Sequence, residues 1–252
     1  MLNIFKSQNN AFNFPYTKDS FTLYKQIARQ YKDKDILAFV NRIVPSEIKE
    51  EIRIKENNKI QSLKPLLDWF KNDYMKWMDI KKKCQNCNMS IMHLNVFKGN
   101  SWRLRMIEVY ECFNCNLKIV FPRYGEITKI ADSRIGRCSE WSMLFGAILN
   151  SLSIETRIVQ DYLDHCWNES LIDGKWINID STLEYPISIN HPHYYEKNWS
   201  KKYKYILAFS HNSLEDVTSS YTQDWQIVLQ RRRKDNKGRN RVEYFRKFYL
   251  EL

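Results

Sequence analysis

The chain has 252 residues, 43% of them hydrophobic and 14% aromatic, which suits one large domain or two small ones and excludes a disordered chain. The longest apolar run, Met143 to Leu149, is far shorter than the roughly 18 residues that cross a bilayer, so no membrane span is expected. The net charge of +11, from 40 Lys and Arg against 29 Asp and Glu, permits contact with nucleic acid, but charge alone supplies only non-specific affinity. No GxGxxG or GxxxxGKS stretch occurs, which argues against nucleotide-dependent chemistry. The N-terminal residues interrupt with polar side chains what would have to be the apolar stretch of a secretory signal, so an intracellular chain is expected.

In chain order, Asp19 to Met78 reads as helical. Leu23, Ile27, Ile36, Phe39 and Val40 recur at three- and four-residue steps, and Leu63, Leu66, Leu67, Phe70, Tyr74 and Trp77 do the same. Two or three helices are expected, with a break at Pro45-Ser46 and Ser46 as N-cap of an acidic helix. A cysteine-bearing insert from Cys84 to Cys115 follows, then a strand from Leu117 to Phe121 that ends at Pro122. Trp141, Leu144, Phe145, Ile148, Leu149 and Leu152 predict an apolar helix that starts close to Cys138. Strands are expected over Thr156–Tyr162, His165–Ile172, Lys175–Asp180 and Tyr203–Phe209, with Asp173-Gly174 as the strongest hairpin signal. The order is helices, an insert, then a helix feeding an antiparallel sheet, an α+β plan. In the tail, Arg231–Arg233 with Lys234, Lys237, Arg239 and Arg241 reads either as a helix docked on the core or as an exposed partner-binding arm. His191, His193 and His211 show no ligand-like pairing and read as loop residues.

Cys84-x-x-Cys87 and Cys112-x-x-Cys115 are two knuckles, each short enough to place two sulfurs on one ion. Four thiolates suit Zn²⁺ in a closed tetrahedral shell with no open position for substrate, so the implied metal is structural. Disulfides and a redox pair are the competing readings, the first requiring an oxidising compartment.

Cys138 opens the apolar helix and follows Arg137, and both the helix start and a nearby cation favour a thiolate. A single cysteine on a helix also reads as a small core residue, and Cys166 receives only that reading. The hairpin bears on Cys138. If Asp173-Gly174 is a two-residue loop, Ile172 pairs with Lys175, Trp167 lies opposite Asp180, and His165 and Asp180 share a face on a diagonal. A thiol to attack, an imidazole to take and return the proton, and a carboxylate to orient it match the needs of acyl transfer from an amide.

The stretches Gly136-Arg137-Cys138-Ser139-Glu140-Trp141, Asp161-Tyr162-Leu163-Asp164-His165-Cys166-Trp167-Asn168-Glu169 and Trp176-Ile177-Asn178-Ile179-Asp180 resemble the cytoplasmic peptide:N-glycanases of the transglutaminase-like superfamily. The knuckles, Phe121-Pro122-Arg123-Tyr124, Trp69-Phe70 through Trp77, and Asp216-Val217-Thr218 with Tyr221 are similar as well, so the resemblance covers roughly residues 62 to 221. It implies a transglutaminase-like core of papain-like cysteine protease type, flanked by a helical N-terminal segment and carrying the four-cysteine zinc-binding insert. The expected units are a helical segment 1–80, a zinc insert 81–122, a catalytic core 123–222 and a basic tail 223–252.

The resemblance implies hydrolysis of the amide that joins an N-linked glycan to asparagine, leaving aspartate. Cys138 would be the nucleophile, His165 the general base and acid, Asp180 its orienter, and Cys84, Cys87, Cys112 and Cys115 the ligands of one structural Zn²⁺. Trp77, Trp141 and Trp167 would line the cleft for the chitobiose core, with packing as the competing role for each. Glu169 would bond sugar hydroxyls unless it is simply solvated, and the backbone N–H of Cys138 would donate to the oxyanion. Two positions depart from the family: Ser139 stands where a glycine is usual, which would let Ser139 touch substrate, and Leu183 stands where an acidic contact is usual, with Glu184 next to it.

The partners so implied are denatured N-glycoproteins and the ubiquitin-like shuttle of the proteasome, for a monomeric minimal core without adaptor-binding or mannose-binding domains. The compartment implied is the cytoplasm, with the nucleus as a further one, and the process is disposal of misfolded glycoproteins. Two other readings stand beside this one. The first is a non-catalytic binding module of the DNA-repair type, which shares the superfamily fold. The second is another thiol amidase or a transglutaminase on the same triad.

Overall fold

A computed structural model of the chain describes residues 18–54, 59–79, 83–161, 163–236 and 241–252; Tyr162, Lys237 and Arg239 lie outside them. The N-terminal segment is helical as its periodicity predicts, but it is divided more finely than into two or three helices. Its described pieces are α1 (Lys18–Gln30), α2 (Lys34–Ile43), α3 (Ser46–Ile54), α4 (Lys59–Ser62) and α5 (Lys64–Trp69), which runs into a π-helical turn, Phe70–Tyr74. The added breaks have local causes. Asp33 caps α2 by accepting from the backbone N–H groups of Asp35 and Ile36 at 2.9 and 3.1 Å, and a proline opens α5. Ser46 is not the cap of α3: the Pro45 carbonyl accepts the first helical bond, from Lys49 at 3.2 Å, and the Ser46 hydroxyl turns to Glu47.

Then come β1 (Lys76–Trp77), β2 (Met92–Lys98), β3 (Leu104–Glu111), β4 (Lys118–Tyr124), α6 (Ile127–Ser133), β5 (Ile135–Gly136) and α7 (Cys138–Ser151). The chain continues through β6 (Thr156–Asp161), β7 (Cys166–Ile172), β8 (Lys175–Ile179), α8 (Tyr194–Asn198), β9 (Ile206–Phe209), β10 (Leu214–Asp216), α9 (Trp225–Asn236) and α10 (Arg241–Glu251). Strands β2, β3 and β4 form an antiparallel sheet beside the knuckles. The last of them does not stop at Pro122 but continues to Tyr124, because β4 is an edge strand, where a missing proline N–H is tolerated.

The main sheet is antiparallel, in the order β10-β9-β6-β7-β8. Helix α7 covers one face, and its residues Ser139 to Leu149 are all buried. A helix enclosed on every side reads apolar on every side, which is why its sequence shows no polar stripe. The other face of the sheet is also covered: Val159, Trp167, Tyr195, Tyr203, Ile206, Ala208, Val217, Tyr221 and Val228 form a second core. Strand β9 begins at Ile206, not at Tyr203, and Tyr203 packs into that second core from the loop.

The basic tail is docked. Arg232 pairs with Asp216 at 2.7 Å and bonds the Lys204 carbonyl at 2.6 Å, and Arg231 donates to the Tyr203 carbonyl at 3.1 Å. Phe245 and Tyr249 of α10 are buried against Phe21 and Phe209, with ring centroids 5.6 and 5.5 Å apart, and the Tyr249 hydroxyl donates to the Ser210 carbonyl at 2.7 Å. Truncating Phe245 leaves a cavity in this seam. Phe245→Ala is therefore expected to cost about 3–5 kcal/mol in urea unfolding, and an unchanged midpoint would mean that α10 is not part of the core.

Candidate active site

Cys138 is the first residue of α7, where the backbone N–H groups have no helical partner and the helix dipole is positive. This end is held by a buried charge cluster. Glu140, 1% exposed, accepts from the backbone N–H of Arg137 at 3.1 Å, the reach-back of a capping box, and from the guanidinium groups of Arg123 at 2.8 and 3.0 Å and of Arg105. Burial alone would raise its pKa, but Arg123 and Arg105 hold it down at about 2. Glu108 on β3 takes Arg123 at 2.8 Å and Arg137 at 2.8 and 3.1 Å, and the Tyr110 hydroxyl donates to it. Arg105 falls at an irregularity of register between Leu104 and Met106, a bulge that re-aims a side chain. Ser139 does not face a substrate, because it is buried and its Oγ accepts from Arg105 at 3.2 Å and Arg123 at 2.9 Å. Gly136 lies so close to this cluster that a Cβ there would stand 2.4 Å from the Cβ of Glu140.

The hairpin has the expected register. Asp173 and Gly174 supply the two positive φ angles of the turn, 48° and 75°, and Ile172 pairs with Lys175. Just beyond β8, Asp180 Oδ2 lies 2.7 Å from His165 Nε2. Asp180 is fully buried, and each of its oxygens is bonded: the Tyr195 hydroxyl donates to Oδ2 at 2.8 Å, and the Thr182 N–H and hydroxyl donate to Oδ1 at 2.9 and 2.7 Å. Burial opposes ionisation of Asp180, but His165 and Thr182 outweigh it and lower the pKa. Burial likewise works against the charged form of His165, yet the Asp180 carboxylate and the neighbouring Cys138 sulfur push the imidazole up to about 10. Cys138 Sγ also lies 3.6 Å from the Asp164 carbonyl. The loop between Asp161 and His165 is pinned from inside, where Asp161 Oδ1 accepts from the N–H groups of Leu163 and His165, both at 2.8 Å. Lys201 bridges Asp161 at 3.0 Å and Asp164 at 3.2 Å. Imidazole and carboxylate are thus directly bonded, and the Cys138 sulfur meets the loop that carries the histidine.

The expected substrate contacts divide. Trp77 pairs with Gly136 in the short parallel β1–β5 bridge, is 44% exposed, and meets Trp141 edge-on at 5.9 Å. Trp141 is itself buried and backs Trp77. Glu184 is exposed and ion-paired with Lys71 at 3.2 Å. Trp167 and Glu169 are not offered to a ligand. Trp167 is fully buried, with its Nε1 donating to the Tyr221 hydroxyl at 2.7 Å, and buried Glu169 takes Arg157 at 2.8 Å and the Tyr221 hydroxyl at 2.6 Å. The reason is that β7 is an inner strand covered on both faces, so the side of it that bears His165 continues into the second core. Tyr195 and Trp199 were not singled out in the sequence, although three aromatics in Tyr194-Tyr195-Glu196-Lys197-Asn198-Trp199 are a detectable signal.

The four knuckle sulfurs lie within 4.8 Å of one another, with Cys84–Cys115 at 3.4 Å and Cys87–Cys112 at 3.3 Å. All four are free thiols, so this cluster can hold a metal ion. The loops are alike: Asn88 and Asn116 take φ of 59° and 58° and donate to the Cys84 and Cys112 carbonyls at 2.9 and 2.7 Å. Asparagine tolerates that left-handed turn better than most residues, and both knuckles read Cys-x-Asn-Cys-Asn.

Residues 103–181 match the family model of the transglutaminase-like superfamily. A peptide-N(4)-(N-acetyl-beta-glucosaminyl)asparagine amidase of Caenorhabditis briggsae is 31% identical over 85% of this chain and 36% of its own length. Its counterpart of the same name in Yarrowia lipolytica is 34% identical over 71% of this chain and 52% of its own, and that of Saccharomyces cerevisiae is 33% identical over 63% and 46%. The chain therefore spans about a third to a half of these relatives. A crystal structure of Rad4-Rad23 bound to a 6-4 photoproduct UV lesion has the same fold, with a TM-score of 0.54 over all of this chain and 60% of that one at 13% identity.

The His165–Asp180 pair makes stability depend on pH with a definite sign. The His165 pKa is raised from 6.5, so its contribution is complete below that value and fades as pH climbs through about 10. The Asp180 pKa is lowered from 3.8, so its contribution is complete above that value and is lost as pH falls. Asp180→Asn should destabilise the protein by about 3–5 kcal/mol, most strongly between about pH 4 and 6.5. Urea unfolding over a pH series measures this, and a loss that stays level up to about pH 10 would contradict the pairing.

Proposed function

We propose that this chain, which belongs to the transglutaminase-like superfamily, acts as a peptide:N-glycanase that hydrolyses the side-chain amide joining an N-glycan to asparagine in denatured glycoproteins. The observation that carries the reading is Cys138 at the start of α7 with its sulfur 3.6 Å from the carbonyl of Asp164, the residue before His165, and buried Asp180 2.7 Å from that imidazole. The names of the relatives supply the substrate class.

In the proposed reaction the thiol proton of Cys138 already rests on His165, and the Cys138 thiolate attacks the amide carbon. The carbonyl oxygen becomes an oxyanion that the backbone N–H of Cys138 faces at the start of α7. Collapse breaks the C–N bond, the electron pair leaves with nitrogen, and His165 returns its proton there, releasing a glycosylamine and leaving a thioester. Water then adds to the thioester carbon, losing a proton to His165. Cleavage of the C–S bond restores the thiol and leaves aspartate. Asp180 fixes the imidazole orientation and stabilises its charged form throughout.

The knuckle cluster is read as one structural Zn²⁺ site. Four thiolates make a soft, closed shell with no place for substrate, and bonds of about 2.3 Å would separate the sulfurs by about 3.8 Å, near the spacing observed. The ion would brace the sheet whose Glu108 and Arg123 hold the start of α7.

The decisive experiment is mass spectrometry of a denatured N-glycoprotein after incubation. Wild type should convert glycosylated Asn to Asp, and Cys138→Ala should lower kcat by at least about 10⁴-fold with the fold intact. No conversion by folded protein, together with steeply salt-dependent duplex binding, would instead support a DNA-repair-type binding module. Metal analysis should find one zinc per chain, and a strong chelator should lower the melting temperature and loosen the β2–β4 lobe. A metal-free protein with an unchanged melt would remove the structural role.

A further inference from the structure

We propose that Tyr195 is a positioning residue of the reaction: its hydroxyl shares Asp180 Oδ2 with His165 and so limits how firmly the carboxylate holds the charged imidazole, leaving the ring able to give its proton to the departing nitrogen. The step it serves rests on the amidase reading, whereas its effect on His165 is measurable without substrate.

Asp180 is fully buried, and its two oxygens are bonded differently. Oδ1 accepts from the N–H and the hydroxyl of Thr182, at 2.9 and 2.7 Å. Oδ2 meets His165 Nε2 at 2.7 Å and accepts from the Tyr195 hydroxyl at 2.8 Å. A carboxylate offers about four lone-pair sites, and these donors fill them. Each neutral donor draws off part of the negative charge that would otherwise bind the imidazole. Tyr195 does so on the same oxygen as His165, which Thr182 does not.

The hydroxyl is fixed in advance. The Tyr195 ring is stacked on buried Trp167, with centroids 5.1 Å apart and planes at 29°. Its neighbour Glu196 accepts from the Thr222 hydroxyl at 2.7 Å and the Gln223 N–H at 2.8 Å, which ties α8 to the segment before α9. Burial and the Asp180 carboxylate push the Tyr195 phenol well above its ordinary pKa, so it stays a neutral donor. The other ionisable groups around the pair are Cys138 on α7, Asp161 and Asp164 with Lys201 between them, and Tyr203 and Tyr221 beside Tyr195. Burial pushes both of those phenols up as well, and they bring no charge.

Because Asp180 engages Nε2, Nδ1 is left as the nitrogen that exchanges a proton with sulfur and substrate. As the C–N bond breaks, its electron pair goes to nitrogen and the Nδ1 proton follows it, while Asp180 stays ionised. An imidazolium gripped too strongly by its carboxylate is a poor acid for that transfer. A phenylalanine at 195 would supply the same ring without this control.

The test compares wild type with Tyr195→Phe and with a full chain carrying a ring-fluorinated tyrosine at 195, whose more acidic phenol is a stronger donor. Ring-labelled histidine is followed by NMR over a pH series, the His165 signal being the one lost in His165→Gln. Tyr195→Phe should move the His165 midpoint up by about one pH unit, and the fluorinated ring should move it down. With a denatured N-glycopeptide, the alkaline limb of kcat/KM should follow the midpoint in each chain, since the group is an acid only while protonated. A merely structural role would leave the midpoint in place. A midpoint unmoved in the fluorinated chain, or one that shifts the same way in both, would overturn the proposal, and the fluorinated chain decides the matter alone if Tyr195→Phe is unstable. Midpoints that shift as expected while the alkaline limb stays fixed would also overturn it. Expected shifts in a protein that cleaves no N-glycopeptide would sink the amidase reading and leave the control of His165 by Tyr195 standing.

Discussion

The carboxylate of Glu140 is the constraint on which the site depends. It lies almost fully buried under the first turn of α7, and an ionised group there is tolerable only if every side of it meets a donor. Arg105 and Arg123 come from the sheet beside the knuckles, and the backbone N–H of Arg137 comes from the residue before Cys138. One buried charge therefore couples the lobe of the four cysteines to helix α7. Removing any partner would leave a charge stranded in a low-dielectric interior, so the lobe and the start of α7 hold one another in place.

Glu108 extends the same logic by one layer. It shares Arg123 with Glu140 and also holds Arg137, and it sits on β3, which leads directly into Cys112. A metal ion on the knuckles would act at a distance from the chemistry, as a brace for the strand that positions these charges. The three arginines exceed the two glutamates by one, so the cluster under the start of α7 carries a surplus positive charge.

The histidine side is built by different means. Its supports are a tight hairpin, a fully bonded Asp180 and a ring of aromatics, with Asp161 and Lys201 fixing the short loop that carries His165. The two sides meet at Cys138, which the helix start places and the loop of Asp164 and His165 receives. Trp77 beside Gly136 and Trp199 beside His165 are the exposed aromatics next to this junction. Each of these rings is tied to the backbone or side chain of a neighbour of Cys138 or to His165 itself, so rings and triad candidates keep their relative positions.

Much of this was legible in the order of residues, wherever the information is local. Paired Cys-x-x-Cys spacings imply a metal cluster because two sulfurs three residues apart reach one point. The alternation of β7 and β8 about Asp173-Gly174 determines that His165 and Asp180 share a face, because strand geometry has a period of two. The continuous apolar pattern after Cys138 determines a buried helix. What covers each face of β7 is not local, and so the sequence alone could not say that Trp167 and Glu169 are interior, that Ser139 is engaged by arginines, or that β4 passes Pro122 on an open edge. Nor could it show that Glu140, Glu108, Arg105 and Arg123, spread over two strands and a helix, converge on one point, or that Tyr195 and Trp199 close around His165. Those outcomes depend on contacts between distant segments, where burial and the need to satisfy charge decide the arrangement, and only the tertiary structure brings such groups together.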